Sequence, residues 1–117
     1  MRIIKTDLGG TDLTLRSLLK LALPAPAALE FGAVVLPRGS RQPPEGVSRH
    51  DGEEISLILA GRAVIEWQGG RTEVGAGDLV HIAAGEAHAT EALERCLVYF
   101  LLAGSASAAP LLKATPA

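Results

Sequence analysis

Glycine and proline residues interrupt this chain at short intervals, and that spacing limits what the chain can fold into. The interruptions fall at Gly32, Pro37, Gly39, Pro43, Pro44, Gly46, Gly52, Gly61, Gly69, Gly70, Gly75, Gly77 and Gly85. The apolar runs between them are too short for typical helices and have the length of strands. Closely spaced short strands with little helical periodicity predict an all-β fold, either an antiparallel sandwich or a barrel.

Strands are predicted in segments that alternate with these turns. The predicted ranges are 2–5, 14–19, 28–36, 54–60, 63–68, 71–74, 79–83, 87–91 and 95–102. The clearest hairpin joins 64–68 to 71–74, with Gly69-Gly70 expected to supply the positive φ angles of its turn. The segment 13–21 is ambiguous because Leu15, Leu18 and Leu19 also fit a helical stripe. We favour a strand there because its surroundings are all-β.

The length of 117 residues indicates a single domain with one core. Hydrophobic residues make up 48% of the chain but aromatic residues only 3%, so the core must consist of aliphatic side chains. The net charge is −2, and the Lys and Arg residues are scattered. Nucleic-acid binding is therefore not expected.

The chain is expected to be cytoplasmic and to have no membrane partner. The apolar stretch 13–23 is interrupted by Arg16 and Lys20 and followed by Pro24, so it is too short and too charged to span a bilayer or to serve as a signal peptide. The single Cys96 cannot form an internal disulfide and is expected to pack as a small hydrophobic residue.

Two segments contain the candidate metal-binding residues. His50 and Glu54 stand four residues apart at the start of an apolar run in SRHDGEEISLILAG (48–61), and His88 ends GDLVHIAAGEAH (77–88). Imidazoles and a carboxylate are ligands that divalent transition metals prefer. Alternate residues of a strand share a face, so Ser48, His50 and Glu54 can enter one cavity, with Gly52 allowing a bulge. An antiparallel sheet can return His88 to the same place.

The neighbouring polar residues favour structural roles. Glu53 is adjacent to Glu54, so its side chain should project from the opposite face of the strand and is expected to be solvated. His81 alternates with Val80 and Ile82 and should point away from the cavity if those two line it. Asp78 is expected to fix a turn.

The large and basic side chains also have ordinary explanations. Core positions are expected for Trp67, Tyr99 and Phe100, although one of these aromatic residues lining the mouth of the cavity is plausible. Solvated surface positions are expected for Arg41, Arg49 and Arg62.

The two segments resemble the two motifs of the cupin superfamily across roughly 29–100. His50, Glu54 and Gly61 match the second histidine, the glutamate and the final glycine of the first motif, and Gly77, Gly85 and His88 match the second motif. The resemblance implies a single-domain antiparallel jelly-roll β-barrel with its site inside, commonly assembled as a homodimer. It divides the chain into N-terminal strands over 1–26 that form edge or dimer contacts, a barrel over 27–103, and a loosely held tail over 104–117.

Four positions depart from the motif pattern. Ser48 stands at the usual first histidine, Gln42 at the usual glycine six positions before it, Ala83 at the usual proline and Ala92 at the usual asparagine. The implied metal ligands are thus His50, Glu54 and His88, for Fe, Mn, Zn or Ni. Ser48 could add a weak hydroxyl contact or a hydrogen bond to a ligand.

Three functional hypotheses stay open. The first is a metal-binding cupin that takes a small organic ligand, with dioxygenase-like or isomerase-like activity if it is an enzyme. The second is a metal-free cupin that binds or senses a small molecule. The third is metal-free acid/base catalysis by His50 or His88, as in sugar epimerases of similar fold. A homodimer is expected through the apolar N-terminal segments, with strand exchange or edge pairing near 2–5.

Overall fold

The computed structural model of the protein describes residues 1–6, 9–24, 27–105 and 114–115. These ranges contain eleven strands. In chain order they are β1 (Thr14–Ala22), β2 (Ala27–Leu36), β3 (Arg41–Gln42), β4 (Val47–Ser48), β5 (Glu53–Ala60), β6 (Arg62–Trp67), β7 (Gly70–Gly75), β8 (Leu79–Ile82), β9 (His88–Ala92), β10 (Cys96–Ser105) and β11 (Ala114–Thr115). The fold is all-β, and none of the described ranges contains a helix that could span a bilayer.

The strands form two antiparallel sheets that face each other as a jelly roll. The first sheet has the order β1-β2-β10-β5-β8, and the second has the order β11-β4-β9-β6-β7, with β3 also paired to β9. Consecutive strands β5 and β6 lie in different sheets, so the chain crosses from one layer to the other at Gly61. This topology confirms the predicted jelly-roll barrel.

Alternation along the strands divides each sheet into an inner and an outer side. On β5 the buried residues Ser56 and Ile58 alternate with the exposed residues Ile55, Leu57 and Leu59. Successive side chains of a strand point to opposite faces, so even-numbered residues of β5 enter the barrel and odd-numbered residues leave it. The register carries the same division across the sheet, because Ser56 pairs with Phe100 and Val80, and Ile58 pairs with Val98.

Aliphatic residues close one end of the barrel. Its buried cluster consists of Leu36, Ile58, Ala63, Ala92, Cys96 and Val98. Cys96 is fully buried there, as predicted, and burial raises the pKa of its thiol, with the nearby Glu94 carboxylate adding to the effect. The opposite part of the barrel stays open and contains the polar residues described below.

The ambiguous segment is a strand, as favoured from the sequence. β1 pairs with β2 over its length, but the register shifts between Ser17 and Leu19. A β-bulge inserts one extra residue and reverses the alternation beyond it. Leu15 therefore lines the barrel interior whereas Leu19 pairs with the outward-facing Phe31, and this change of face produced the helix-like spacing of leucines.

Two local predictions were wrong. Residues 2–5 are not a strand; the N-terminal segment instead contacts the outside of the first sheet, where the Thr6 and Tyr99 hydroxyls are 2.8 Å apart. The β6–β7 hairpin turns at Gln68-Gly69, because Gly70 already pairs with Trp67. A Cβ on Gly69 would collide with the Trp67 indole, so a larger residue there would displace the ring.

The predicted C-terminal tail falls largely on residues 106–113 and 116–117, which lie outside the described residues, as does the pair Leu111-Leu112. Within the described part, Gly104 and Ser105 belong to β10 and pair with β2. Ala114 and Thr115 pair with Ser48 and Val47 of β4.

The sheet crossing at Gly61 should be sensitive to a methyl group. Gly61 and Gly39 have nearly the same φ, +83° and +82°, but a Cβ on Gly61 would collide with the Arg95 carbonyl whereas a Cβ on Gly39 meets open space. We expect Gly39→Ala to lower the free energy of unfolding by about 1 kcal/mol and Gly61→Ala by at least about 2 kcal/mol. Urea denaturation measures both. Equal losses would contradict the role assigned to the Arg95 contact.

Candidate functional site

The loop between β4 and β5 brings His50 into the barrel. Gly52 makes this possible, because a Cβ there would collide with the carbonyl of Ala103 in β10. The Gly85 amide donates to the His50 carbonyl at 2.8 Å, and Arg49 Nη1 donates to the Gly85 carbonyl at 3.1 Å. These two bonds join the β4–β5 loop to the β8–β9 loop. The loops that carry the two sequence motifs are thereby held side by side.

Glu54 enters the barrel on β5 and meets both imidazoles. Its Oε1 atom lies 2.9 Å from His50 Nε2 and 3.9 Å from His88 Nε2, and its Oε2 atom accepts a 2.8 Å hydrogen bond from Ser56. Burial by itself raises the pKa of the Glu54 carboxyl. The His50 hydrogen bond, the His88 charge and the Ser56 hydroxyl outweigh it, so the pKa lies below its usual value. The group is therefore a carboxylate.

His88 begins β9, and its orientation is set by the backbone. Its Nδ1 atom lies 3.1 Å from the Glu86 carbonyl oxygen, which can only accept a hydrogen bond. Nδ1 therefore donates this hydrogen bond, and Nε2 is the ring atom that faces Glu54. The imidazole is only 7% exposed, and its ring centroid lies 5.1 Å from that of His50.

The three residues predicted as metal ligands thus converge. The donor atoms of His50, Glu54 and His88 all lie within 4.8 Å of one another. Bonds of about 2.1 Å to one ion allow two donors to be separated by up to about 4.2 Å, and the Glu54 oxygen is within that distance of both imidazoles. Two nitrogens and one carboxylate oxygen fit a divalent transition metal, and they come from the β4–β5 loop, from β5 and from the start of β9.

Ser48 is buried beside this cluster. Its Cα is the cross-strand partner of His88 between β4 and β9, and the side chain lines the same cavity. The position is therefore suited to a contact with a bound ion or with a ligand of that ion.

The cluster stands in the wall of a cavity of about 290 Å³, here called the inner cavity. Most of its lining is apolar and includes Leu15, Val34, Ile58, Val98 and Phe100. Its polar members Gln42, Ser56 and Thr90 were not predicted from the sequence. The signal for Ser56 was present, because it follows Glu54 by two residues on a strand, whereas the other two depend on the pairing of Gln42 with Thr90 across β3 and β9.

The other polar residues lie outside the inner cavity. Val80 and Ile82 line it, so His81 points outward, as the alternation predicted. Glu53 is exposed but not simply solvated, which corrects the prediction: it accepts a hydrogen bond from the Ala84 amide and pairs with His81 at 3.2 Å. The Ala84 hydrogen bond and then His81 lower the pKa of this carboxyl.

The remaining candidates have structural partners. Asp78 accepts a 2.7 Å hydrogen bond from the Gly75 amide and so fixes the turn, as predicted. Arg41 donates to the Pro43 carbonyl, and Arg62 pairs with Glu73 and Glu94 at 3.0 and 2.9 Å. No Lys or Arg of the described ranges lines the inner cavity.

Comparisons with known proteins agree with this architecture. The family described as the cupin domain matches residues 32–102. A cupin 2 conserved barrel domain protein from Salinispora arenicola is 25% identical, with a TM-score of 0.67 and 87% of each chain covered. An RmlC-like cupin with a double-stranded β-helix fold from Methanocaldococcus jannaschii is 10% identical, with a TM-score of 0.67 and 90% of each chain covered.

KdgF from a Halomonas species is 20% identical, with a TM-score of 0.62 and 84% of each chain covered. A search of curated proteins finds no match.

Proposed function

The chain belongs to the cupin family, and we propose that it holds one divalent transition-metal ion through His50, Glu54 and His88 and binds a small organic ligand beside that ion. The observation that carries the proposal is the convergence of these three side chains on one point of the barrel interior. Fe(II), Mn(II), Zn(II) and Ni(II) all accept two imidazoles and a carboxylate.

The surroundings of the three side chains support a ligand role. Hydrogen bonds fix the orientation of two of these side chains. The Glu86 carbonyl accepts a hydrogen bond from Nδ1 of His88, and the Ser56 hydroxyl donates one to Oε2 of the Glu54 carboxylate. Partners of this kind orient metal ligands and raise their affinity for the ion. Side chains held in fixed orientations in this way need less reorganisation to bind an ion.

The inner cavity supports a small organic ligand. Its volume of about 290 Å³ lies at the lower end of the range for ligand pockets, and its walls are mainly aliphatic. Gln42, Ser48 and Thr90 supply hydrogen-bonding groups on the wall formed by the second sheet. These residues would orient an oxygen-bearing group, while the aliphatic walls exclude water from it.

A bound divalent ion would supply Lewis-acid polarisation, or open positions where O₂ and an organic molecule lie side by side. Dioxygenase-like or isomerase-like activity is the proposed range. The chain's own residues would position the organic molecule, and the ionised Glu54 would offset part of the ion's charge.

A metal-free small-molecule binding protein is the second candidate. It is favoured by Ser48 at the position of a fourth ligand and by the 2.9 Å contact between His50 and Glu54, which satisfies both groups without an ion. In that case the polar cluster would recognise the ligand by hydrogen bonds.

Metal content separates the two candidates. We expect protein purified without a histidine tag to hold close to one ion per chain, and His88→Ala and Glu54→Gln to reduce metal affinity at least about tenfold because each removes a ligand. Elemental analysis after dialysis against a weak chelator measures this.

The chain offers a matched control for each substitution. His81→Ala and Glu53→Gln alter the third histidine and the adjacent glutamate, both of which lie outside the inner cavity, and should retain the metal. A folded wild-type protein without metal, even after reconstitution with Fe(II), Mn(II), Zn(II) and Ni(II), would refute the metal site and favour the second candidate.

Ser48→His should increase metal affinity. Ser48 is the cross-strand neighbour of His88, so an imidazole there can reach the same ion as a fourth ligand. We expect tighter binding by about tenfold or more in competition with a chromophoric chelator. Ser48→Asn, which is polar but a poor ligand for these metals, is the control. Unchanged affinity in Ser48→His would show that position 48 does not face the ion.

We also propose that the protein forms a homodimer through the outer side of the first sheet. Phe31, Ile55, Leu57, Leu59 and Leu101 project there, and the first four are 38–41% exposed. On the outward side of β2, β5 and β10 the charged residue is Glu53, which is paired with His81, and Arg16 of the edge strand β1 lies on the same side opposite Ala33. A surface that is apolar over its central strands can meet its own copy across a two-fold axis.

Leu57→Lys should shift the protein from dimer to monomer, because two lysines would then face an apolar interface. Val64→Lys is the control: it makes the same type of change on the outer side of the second sheet, where Val64 pairs with Glu73 and Glu91. Analytical ultracentrifugation at micromolar concentration measures the mass. A monomeric wild-type protein would contradict the proposal.

A further inference from the structure

A second cavity lies beside the inner cavity, where the two sheets leave their edges unpaired. β7 ends the order of the second sheet and β8 ends that of the first. Residues of β6, β7 and β8 line a space of about 430 Å³ between these edges, here called the side cavity. Leu79 of β8 belongs to its lining and is 70% exposed, so the side cavity reaches the protein surface.

The side cavity and the inner cavity share a wall. Ile65, Val80, Ile82 and His88 line both of them. His88 is one of the three residues proposed to hold the ion, so a molecule in the side cavity would lie next to that ion. These four side chains lie between the two cavities, so a ligand with its head group at the metal would reach the side cavity by passing beside them.

Trp67 gives the side cavity its chemical character. It pairs with His88 across β6 and β9, and cross-strand partners project from the same face of a sheet. Gly69 leaves room for the indole, because a Cβ there would collide with it. An indole held in this way offers a flat apolar surface for stacking beside the His88 imidazole.

The other lining residues favour an uncharged group. Val74, Leu79 and Ile82 are apolar, Thr72 and His81 can form hydrogen bonds, and Glu86 is acidic. No Lys or Arg of the described ranges lines either cavity. An anionic group such as a phosphate or a second carboxylate would find no cationic partner there and would face Glu86.

We propose that the side cavity is a subsite for an aromatic, uncharged portion of the ligand whose metal-binding head group lies at His50, Glu54 and His88. The assignment rests on the proposed function for its head group. The ligand class is therefore a small aromatic chelator with a single oxygen-bearing head, and polyanionic sugars or nucleotides are excluded from it.

Two hydroxamates test the subsite. Acetohydroxamate and benzohydroxamate carry the same chelating head, and only the second carries a phenyl ring. On the metal-loaded protein we expect benzohydroxamate to bind at least about tenfold more tightly by calorimetry, because the ring is buried against Trp67. Trp67 is the only tryptophan of the chain, so its fluorescence should change with benzohydroxamate and not with acetohydroxamate.

Substitutions at and around Trp67 test whether the indole causes the difference in affinity between the two hydroxamates. Trp67→Leu should remove most of the advantage of benzohydroxamate and leave the affinity for acetohydroxamate within about twofold, because the head group does not contact the indole. Gly69→Ala should reduce the advantage too, since the added methyl group displaces the ring. Tyr99→Leu removes an aromatic residue that faces outward and should change neither affinity.

The possible failures are distinguishable. Equal binding of the two hydroxamates with unchanged Trp67 fluorescence would overturn the subsite and leave the metal site intact. If the protein holds no metal, the proposed function fails, and benzamide, which has the ring but no strong chelating head, tests the subsite on the metal-free protein. A saturable fluorescence change would support the subsite, and its absence would overturn it.

Discussion

The alternation of side chains along β5 and its two neighbours is the constraint on which the rest of the structure depends. Because the side-chain period of a strand is two, each residue that enters the barrel is followed by one that leaves it. Glu54 and Glu53 differ by one position, yet the first meets two imidazoles inside the barrel and the second binds the Ala84 amide outside it. A shift of register by one residue would exchange these roles.

The same alternation gives the first sheet two different surfaces. Its inner side carries the carboxylate and hydroxyl of Glu54 and Ser56 together with aliphatic side chains that line the inner cavity. Its outer side carries Phe31, Ile55 and Leu57, which are too exposed to belong to a core. One surface lines a cavity and the other is an exposed apolar face, and the strand alternation decides which residues belong to each.

The site also depends on contacts between loops that are distant in the chain. The hydrogen bonds from Gly85 to His50 and from Arg49 to Gly85 connect the two motif loops, and the close passage of Gly52 against Ala103 allows the first loop to turn inward. These contacts bring the imidazoles of His50 and His88 close to Glu54, so the position of the three side chains depends on the fold of the whole barrel and not on any one strand.

The amino-acid sequence by itself determined the all-β class, the cupin motifs, the aliphatic core and the candidates His50, Glu54 and His88, because turn residues and strand alternation are local properties. It also predicted the outward direction of His81 and the turn role of Asp78 from alternation and turn chemistry. Only the tertiary structure decided what depends on contacts between strands. The bulge in β1 changes the face of its leucines and so gave a spacing that also fits a helix. The β6–β7 hairpin turns one residue earlier than Gly69-Gly70. Residues 2–5 do not form a strand. Gln42 and Thr90 line the inner cavity because β3 pairs with β9, and Trp67 lies beside His88 because β6 pairs with β9. Such pairings are set by the packing of the whole barrel, which no local pattern contains.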